Sequence, residues 1–453
     1  MTQSTAAEAS IARKAKAEDI SSMTSNQVAV NFGKGLADPF VPALAMNSLG
    51  ATTAQLGWLQ AVTNLFPAIM QVPWGKLSDF MGRRTPFLVV GGVVSFILYF
   101  FMVGVIDAWQ LILLVSIQLA IGSMMIPTWS ALVGDKTTPR ERGLVMSRFF
   151  AVSTLASLVA TLVSGMLADS FTSGEGGTVD KSVFAFPFFM AGISGILGSL
   201  LLLKVKERKR QMYASPRRIF AFGLKSFIFT SDLTENKHFR NLVALNTTFN
   251  FVMSIIWPIL YYTYFRVLHM TLTEYAISNV ISSGSTLFFQ TRAGRLLDLI
   301  GPMPQILISR FAFISVPVVY ALATQVWHIY AINAALGFAN AMANVAFFAY
   351  ILDVAPEEKK AEYFAVYNTM IGIGTFIGSV LGGYLALFFI DRYPSPSDLA
   401  LALGMVYLIS AFGRAICSMW FLKLKDPVQY PETLTSVTKK TLNRWKQNLL
   451  SPF

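Results

Sequence analysis

The hydrophobic residues of this chain fall into twelve long apolar runs, separated by short polar or charged joints. Each run has about 20 residues or more, the length that an α-helix needs to cross the core of a bilayer. Strands with unpaired backbone groups cannot cross lipid, so the runs predict helices. They lie near residues 28–47, 55–75, 86–106, 109–133, 143–168, 184–203, 241–264, 274–293, 303–323, 326–350, 361–389 and 400–422.

The spacing of these runs predicts an all-α membrane protein with twelve transmembrane helices in two pseudo-symmetric six-helix bundles. The boundaries follow as an N-terminal tail (1–27), a first bundle (28–203), a basic linker (204–240), a second bundle (241–422) and a C-terminal tail (423–453). Within the linker, Arg217 to Thr230 mixes aromatic and basic residues. That mixture fits either a helix lying in the membrane interface or a solvated basic linker.

Composition supports the membrane interpretation and excludes other classes. The chain is 54% hydrophobic and 13% charged, whereas about a quarter of a soluble domain is charged. A single cysteine, Cys417, excludes a disulfide framework, and the three histidines lack metal-ligand spacing. No Walker-type phosphate loop and no catalytic constellation is found in the sequence. We therefore expect no enzyme activity, no cofactor and no metal.

The net charge of +12 has a membrane explanation. Of the 36 Lys and Arg residues, 29 lie in the two tails and in alternate joints, whereas the opposite joints carry only Lys181, Arg266 and Arg392. Positive residues are retained on the cytoplasmic side of membrane proteins. The asymmetry predicts that both termini are cytoplasmic, and it accounts for the basic charge without a nucleic-acid partner.

The two halves of the chain are similar to each other. The segment GKLSDFMGRR begins at Gly75, and the similar segment GRLLDLIGPM begins at Gly294. Asp135 follows the first segment, and Asp353 follows the second segment at nearly the same distance along the chain. Two motifs repeated at one interval indicate duplication of a six-helix unit. Transporters are commonly built from such repeats, with the substrate site between them near the membrane midplane.

These motifs resemble the signature loops of the major facilitator superfamily of secondary transporters, and the resemblance covers nearly the whole chain beyond the N-terminal tail. The second copy departs from the first at Pro302-Met303. The segment FGKGLADPFVPALAMNSLGATTAQLGWLQA is also similar to the twelve-helix drug-efflux branch. The resemblance implies a cytoplasmic gate in which Asp79 docks near Ala361 at the start of helix 11. The gate residues would be Gly75, Asp79, Gly82, Arg83, Arg84, Asp135, Arg142, Gly294, Arg295, Asp298 and Asp353.

Ionisable residues inside the runs need an explanation, because a charge at membrane depth is costly. Lys34 and Asp38 are four residues apart on helix 1 and would share one face. Asp38 lies about ten residues beyond Val28, or roughly 15 Å along the helix, near the midplane. Asp38 and Lys34 are therefore candidates for proton coupling, with Asp38 as the proton carrier, or else they form a structural pair. We expect Arg310 and Arg414 to reach the interface or to pair with a neighbour.

The resemblance assigns helices 1, 4, 7 and 10 to a central cavity, and their polar residues are candidate substrate contacts. Neutral amides and aromatic rings suit an uncharged or weakly cationic organic molecule. Amides also hold membrane helices together, so both roles are open for each residue. The candidates are Asn31, Gln118, Asn246, Asn250, Trp257, Asn333, Asn340 and Asn344.

The sequence thus favours a monomeric secondary transporter of the cell membrane that exports a small organic molecule by alternating access, coupled to proton antiport. Two positions depart from the efflux branch: Gln118 replaces an arginine four residues before a glycine, and helix 5 has no Gly-Pro pair. Proton-coupled or facilitated uptake of a sugar-like or other metabolite therefore stays open. A receptor or scaffold that does not transport is a more remote alternative.

Overall fold

The computed structural model describes residues 2–171, 180–205, 207, 236–395 and 398–424. All regular elements in these ranges are helices, which confirms the all-α prediction. The predicted interfacial segment at Arg217 to Thr230 lies outside them. The first half contains α1 (Thr2–Ala37), α2 (Val41–Asn47), α3 (Thr53–Met81), α4 (Thr85–Met102), α5 (Ala108–Gly122), α6 (Met125–Lys136), α7 (Pro139–Ser170) and α8 (Ser182–Leu201). The second contains α9 (Lys237–Ser254), α10 (Trp257–Tyr262), α11 (Leu272–Ile300), α12 (Pro302–Ala312), α13 (Ser315–Leu322), α14 (Val326–Val354), α15 (Lys360–Arg392) and α16 (Leu399–Phe421).

Nine helical stretches in the described ranges are long and apolar enough to cross a membrane. The predicted first, second and eighth spans, which correspond to α1 with α2, α3 and α11, are not among the nine. Both α3 and α11 have 29 residues and are long enough to cross a membrane. They differ from the nine candidate spans in their more polar composition. α3 packs along α15, and α11 packs along α7 and α14. Such contacts replace lipid with protein, which accommodates more polar side chains.

Several predicted spans consist of two helical pieces. Pro39 lies in the 3₁₀ turn between α1 and α2, and Pro258 lies in the first turn of α10. Pro317 has the same early position in α13. A proline has no backbone N–H and clashes with the preceding turn, so a helix breaks or restarts beside it. α1 instead begins at Thr2, far before Val28, because the residues of the tail include good helix formers such as Ala, Glu and Lys.

Glycines let the helices of each half pack at backbone distance. A Cβ on Gly382 of α15 would lie 1.9 Å from the carbonyl oxygen of Ile255, and one on Gly378 would lie 2.1 Å from that of Phe251. In the first half, a Cβ on Gly35 would lie 2.3 Å from the carbonyl oxygen of Ser157. These separations are too short for any side chain. Small residues therefore set the distance between neighbouring helices.

Hydrogen bonds join the two halves near the start of α3, a region that we call the closed end. The Thr53 hydroxyl donates to the carbonyl of Gly383 at 2.9 Å. The Asp169 carboxylate accepts hydrogen bonds from the backbone N–H groups of Leu272 (2.9 Å) and Thr273 (2.8 Å). Those N–H groups belong to the first turn of α11, where the helix dipole favours a negative charge. The closed end is thus held by direct bonds between the halves.

We predict that Asp169→Ala weakens the closed end, because it removes both acceptors that cap α11 from the opposite half. Hydrogen bonds to a charged group each contribute about 1.5–3 kcal/mol. A cysteine placed at Ala51, which is buried in this region, should react with a maleimide at least fivefold faster in the variant. The background would carry Cys417→Ser, which removes the single native thiol.

Asp107→Ala is the matched control for this labelling measurement. Asp107 also caps a helix, since its carboxylate accepts the N–H of Trp109 at 2.8 Å, but both residues lie in the first half. Labelling at the same rate in Asp169→Ala and in the control would contradict a role of Asp169 in holding the halves together.

We also predict that Gly382→Val lowers the melting temperature of the purified protein by several degrees. The added side chain would have to displace the backbone of α9 or α15, and overpacking of this kind typically costs about 1–3 kcal/mol. Gly404→Val is the control, because nothing lies within 4 Å of a Cβ at Gly404. Equal melting temperatures for the two variants would show that the close approach at Gly382 is not needed for stability.

Candidate functional site

A cavity of about 440 Å³ lies inside the first half, between α1, α3, α4, α5 and α6. The charged side chains on its wall are Lys34 and Asp38. Of the predicted substrate contacts, Asn31 and Gln118 also line it. The structure therefore brings together in one chamber the predicted proton carrier and the predicted contacts of the first half.

Asp38 owes its position to the end of α1. The helix stops at Ala37, and the 3₁₀ turn Asp38–Phe40 leads into α2. The Asp38 carboxylate is exposed to the cavity and accepts a hydrogen bond from the hydroxyl of Tyr99 on α4. Lys34 lies one turn earlier on the same wall but is not within ion-pair distance of Asp38. Because α1 ends between the two residues, Tyr99 replaces Lys34 as the direct partner of the carboxylate.

Gln118 joins two helices of this chamber. Its side-chain amide donates to the carbonyl of Ser95 on α4 at 3.2 Å, and its own backbone carbonyl accepts from the Ser95 hydroxyl. The side chain is buried. Gln118 therefore fixes α5 against α4 beside Tyr99, and it lines the cavity at the same time.

A second cavity, of about 510 Å³, lies inside the other half between α9, α12, α14 and α15. It holds four of the predicted contacts, Asn246, Asn250, Asn340 and Asn344. Asn250 donates to the backbone carbonyl and to the side-chain oxygen of Asn246 at 2.8 and 3.1 Å. The two cavities thus occupy matching places in the two halves.

The internal repeat extends into both cavity walls. Asn31 donates to the backbone carbonyl and the side-chain oxygen of Gln27 at 2.8 and 3.1 Å, as Asn250 does to Asn246. Gln27 and Asn246 are separated by the same number of residues as the two loop motifs are. The same interval separates Asn31 from Asn250. Gln27 lies at the end of the predicted N-terminal tail. The shared interval is the signal that could have identified it as a residue of the cavity wall.

Arg310 is the charged residue on the wall of the second cavity. Its side chain is 4% exposed, and its guanidinium donates to the Asn246 side-chain oxygen at 2.9 Å. The guanidinium also lies 4.3 Å from the ring centroid of Phe249 and 4.4 Å from that of Phe347. Arg310 is therefore buried within the bundle and does not extend to the membrane interface. Its wall neighbour Tyr367 accepts a hydrogen bond from Asn246 at 2.6 Å.

Two of the predicted contacts line neither of these two cavities. Asn333 donates to the Ser278 hydroxyl at 2.8 Å, which joins α14 to α11. Trp257 packs against the hydrophobic core at the start of α10. Asn340 and Asn344 also line a smaller cavity, of about 310 Å³, together with Thr154 of α7. Because α7 belongs to the first half, these two amides lie where the halves face each other.

Each of the two repeated loop motifs ends a helix at a glycine with positive φ. Gly82 ends α3 with φ of 63°, and Gly301 ends α11 with φ of 79°. Such positive φ values favour glycine, since other residues clash there. Asp135 and Asp353 are each the next-to-last residue of a helix, α6 and α14 respectively. The repeat seen in the sequence is thus a repeat of structure.

The charged residues of the motifs lie away from the closed end. Asp79 forms an ion pair with Arg84 of the same loop, and its side chain is 63% exposed. The predicted docking of Asp79 near Ala361 stays a prediction, because the side chain of Ala361 is outside the described residues. Arg83, Arg295 and Asp298 are exposed, and Gly75 and Gly294 lie one turn earlier than the aspartates. The side chain of Arg142 is outside the described residues.

Arg414 shows how a buried arginine is accommodated without a carboxylate. It is 1% exposed, and it donates to the carbonyls of Phe313 (2.7 Å) and Met253 (3.0 Å) and to the Ser410 hydroxyl (3.2 Å). These bonds connect α16 with α9 and with the end of α12. The expected pairing of Arg414 with neighbours is confirmed, and its role is structural. Among the described residues, no group of three His, Cys, Asp or Glu side chains could hold a metal ion.

Comparison with known proteins agrees with this geometry. The sequence model of the Major Facilitator Superfamily matches residues 23–253 and 242–453. An uncharacterised MFS-type transporter of Methanocaldococcus jannaschii is 23% identical over 78% of this chain and 87% of its own length. The multidrug resistance protein MdtG of Proteus mirabilis is 25% identical over 78% of this chain and 85% of its own length.

Solved structures have the same fold at low sequence identity. A bacterial homologue of the human lysosomal transporter Spinster, in an inward-facing and occupied conformation, aligns with a TM-score of 0.70 at 15% identity, covering 91% of this chain and 98% of the other. A D-xylose–proton symporter aligns with a TM-score of 0.64 at 16% identity, covering 92% and 99%. The chain is therefore a multi-pass membrane protein that belongs to the major facilitator superfamily, a family of transporters of small molecules and not of enzymes.

Proposed function

We propose that this protein exports a small organic molecule across the cell membrane by alternating access, and that Asp38 carries the proton that is exchanged for it. The observation that supports the proposal most directly is the chamber of the first half, where a lone carboxylate faces a cavity beside a tyrosine hydroxyl and a lysine. A carboxylate in this position can exchange a proton with water in the cavity.

Alternating access requires that the two halves separate at one end while they close at the other. The closed end, with its bonds from Thr53 and Asp169 to the opposite half, supplies one of the two arrangements. The exposed Asp79 loop at the other end is consistent with an open side. In the opposite conformation, Asp79 would dock against the start of α15 and the Asp169 bonds would break.

The Lys and Arg distribution supports a cytoplasmic position for both termini and for the Asp79 loop. On that orientation, the nine candidate spans and the three more polar helices α1, α3 and α11 make twelve crossings. The open side then faces the cytoplasm. The protein would bind its substrate from that side and release it outside after the halves rearrange.

Export is favoured over uptake by the MdtG relatives, which are named for multidrug resistance. Their alignments cover 78% and 87% of this chain. The likeness to the nucleoside transporter NupG, with a TM-score of 0.68 at 13% identity, and to the D-xylose–proton symporter concerns the fold alone. The chambers, walled by amides and aromatic rings, fit a compact organic molecule.

We predict that Asp38→Asn abolishes proton-driven transport, because an amide cannot bind and release the proton. Inside-out vesicles with an acidic lumen would be given ethidium, a cation, or naphthalene-2-sulfonate, an anion, and accumulation would be measured. The wild-type protein should concentrate at least one probe in a way that a protonophore abolishes. The variant should concentrate it at least tenfold less, at equal protein per vesicle.

Asp107→Asn is the matched control, because it removes a carboxylate of the same half that lies at a helix cap. It should transport at nearly the wild-type rate. If Asp38→Asn accumulates the probe as well as the wild type, Asp38 is not the proton carrier. If wild-type vesicles concentrate neither probe, proton-coupled export is contradicted.

A further inference from the structure

Arg310 is a buried cation without an anionic partner. Among the residues that the structure describes, no carboxylate lies within ion-pair distance of its guanidinium. Its hydrogen-bonding partner is the neutral Asn246, and its Nε atom is buried with no hydrogen-bond partner. A guanidinium has five N–H donors, so most of its donor capacity is unused by the protein.

Arg414 shows that a buried arginine in this half can use all of its nitrogens in hydrogen bonds to the protein. Arg414 is equally buried, but its three nitrogens all donate to backbone or hydroxyl oxygens. Arg310 instead has rings of Phe249 and Phe347 beside it. Cation–π contacts stabilise the charge by about 0.5–2 kcal/mol, and they leave the N–H groups free. Burial of a charge with unused donors is costly unless water or a ligand in the cavity supplies the acceptor.

The cavity beside Arg310 has further donors without partners. Asn340, Asn344 and Asn368 line the same wall, and none of them bonds through its side chain to another residue in the described ranges. Arg310 is the charged group among the lining residues, which otherwise are amides, aromatic rings and aliphatic groups. The chamber thus combines one positive charge, several amide N–H groups and an apolar surface, in a volume of about 510 Å³ that suits a drug-sized molecule.

We propose that the second cavity is a binding site for an organic anion, in which Arg310 holds the carboxylate or sulfonate group and the phenylalanine rings hold the apolar body. A guanidinium matches the two oxygens of such a group with two parallel N–H bonds. The proposal deepens the proposed function, on which it rests, by naming the class of substrate. The anion would satisfy the unused donors of Arg310 and of the neighbouring asparagines.

Equilibrium binding tests this site without transport. Purified protein in nanodiscs would be dialysed at pH 7 against radiolabelled naphthalene-2-sulfonate or its neutral isostere naphthalene-2-sulfonamide, with empty nanodiscs as background. The two probes share size and apolar surface and differ in charge. The wild-type protein should bind the sulfonate at least tenfold more tightly. Equal affinities, or no binding of either probe, would overturn the proposal.

Three variants locate the preference. Arg310→Gln should abolish the preference for the sulfonate, and Arg310→Lys should retain part of it, because the charge remains but the two parallel bonds do not. Arg292→Gln is the matched control: Arg292 also lies over a phenylalanine ring, at 4.2 Å from the Phe288 centroid, but it is exposed on α11. A preference that persists in folded Arg310→Gln would overturn the proposal, as would its loss in the control.

The wild-type comparison decides the question even if a variant fails to fold, because it compares two probes on one protein. The measurement also separates this proposal from the proposed function. Preferential binding of the sulfonate without accumulation of either probe in energised vesicles would contradict export and leave the anion site intact. Accumulation of ethidium without preferential binding of the sulfonate would support export and contradict the anion site.

Discussion

A polar group inside these helices has to find its partner within the protein, because lipid offers none. Most of the described interior obeys this constraint directly. Serine and threonine hydroxyls donate to carbonyls of a neighbouring helix, as Ser164 does to Leu36 at 2.7 Å and Ser410 does to Val252 at 2.9 Å. Arg414 satisfies a full positive charge in the same way. Among the described residues, four buried side-chain atoms have no hydrogen-bond partner, and one of them, Nε of Arg310, belongs to a residue on a cavity wall.

The cavities are built by one repeat but have different charged groups on their walls. The paired amides Gln27 with Asn31 and Asn246 with Asn250 have the same geometry, and they are related by the same interval as the loop motifs. Beside the first pair the wall has Asp38 with Tyr99, whereas beside the second it has Arg310 with two phenyl rings. Duplication therefore accounts for the shared scaffold. Divergence of a few side chains gives one cavity a carboxylate and the other a guanidinium without a carboxylate, the groups proposed to bind the proton and the organic anion.

The halves are connected by close helix packing and by hydrogen bonds at the closed end. Within each half, glycines such as Gly35 and Gly382 bring backbones together at distances that no side chain would allow. Between the halves, Gly57 of α3 and Gly383 of α15 approach each other in the same way. Hydrogen bonds such as those of Asp169 to the first turn of α11 add to this contact at the closed end. The proposed alternating access requires that these bonds break when the halves separate there.

The sequence by itself determined the helical class, the approximate spans, the duplication and the family, because these follow from the length of apolar runs and from motifs repeated at one interval. It also singled out Asp38 and four of the second cavity's asparagines as polar residues at membrane depth. Only the tertiary structure decided their partners. Tyr99 replaced Lys34 as the partner of Asp38 because α1 ends at Ala37, and Asn333 joins α14 to α11. Arg310 was expected at the interface or beside a neighbour, and it lines a cavity because α12 turns that face inward. Hydropathy reports the depth of a residue in the membrane, whereas the direction in which a side chain points depends on how the helices are rotated and packed.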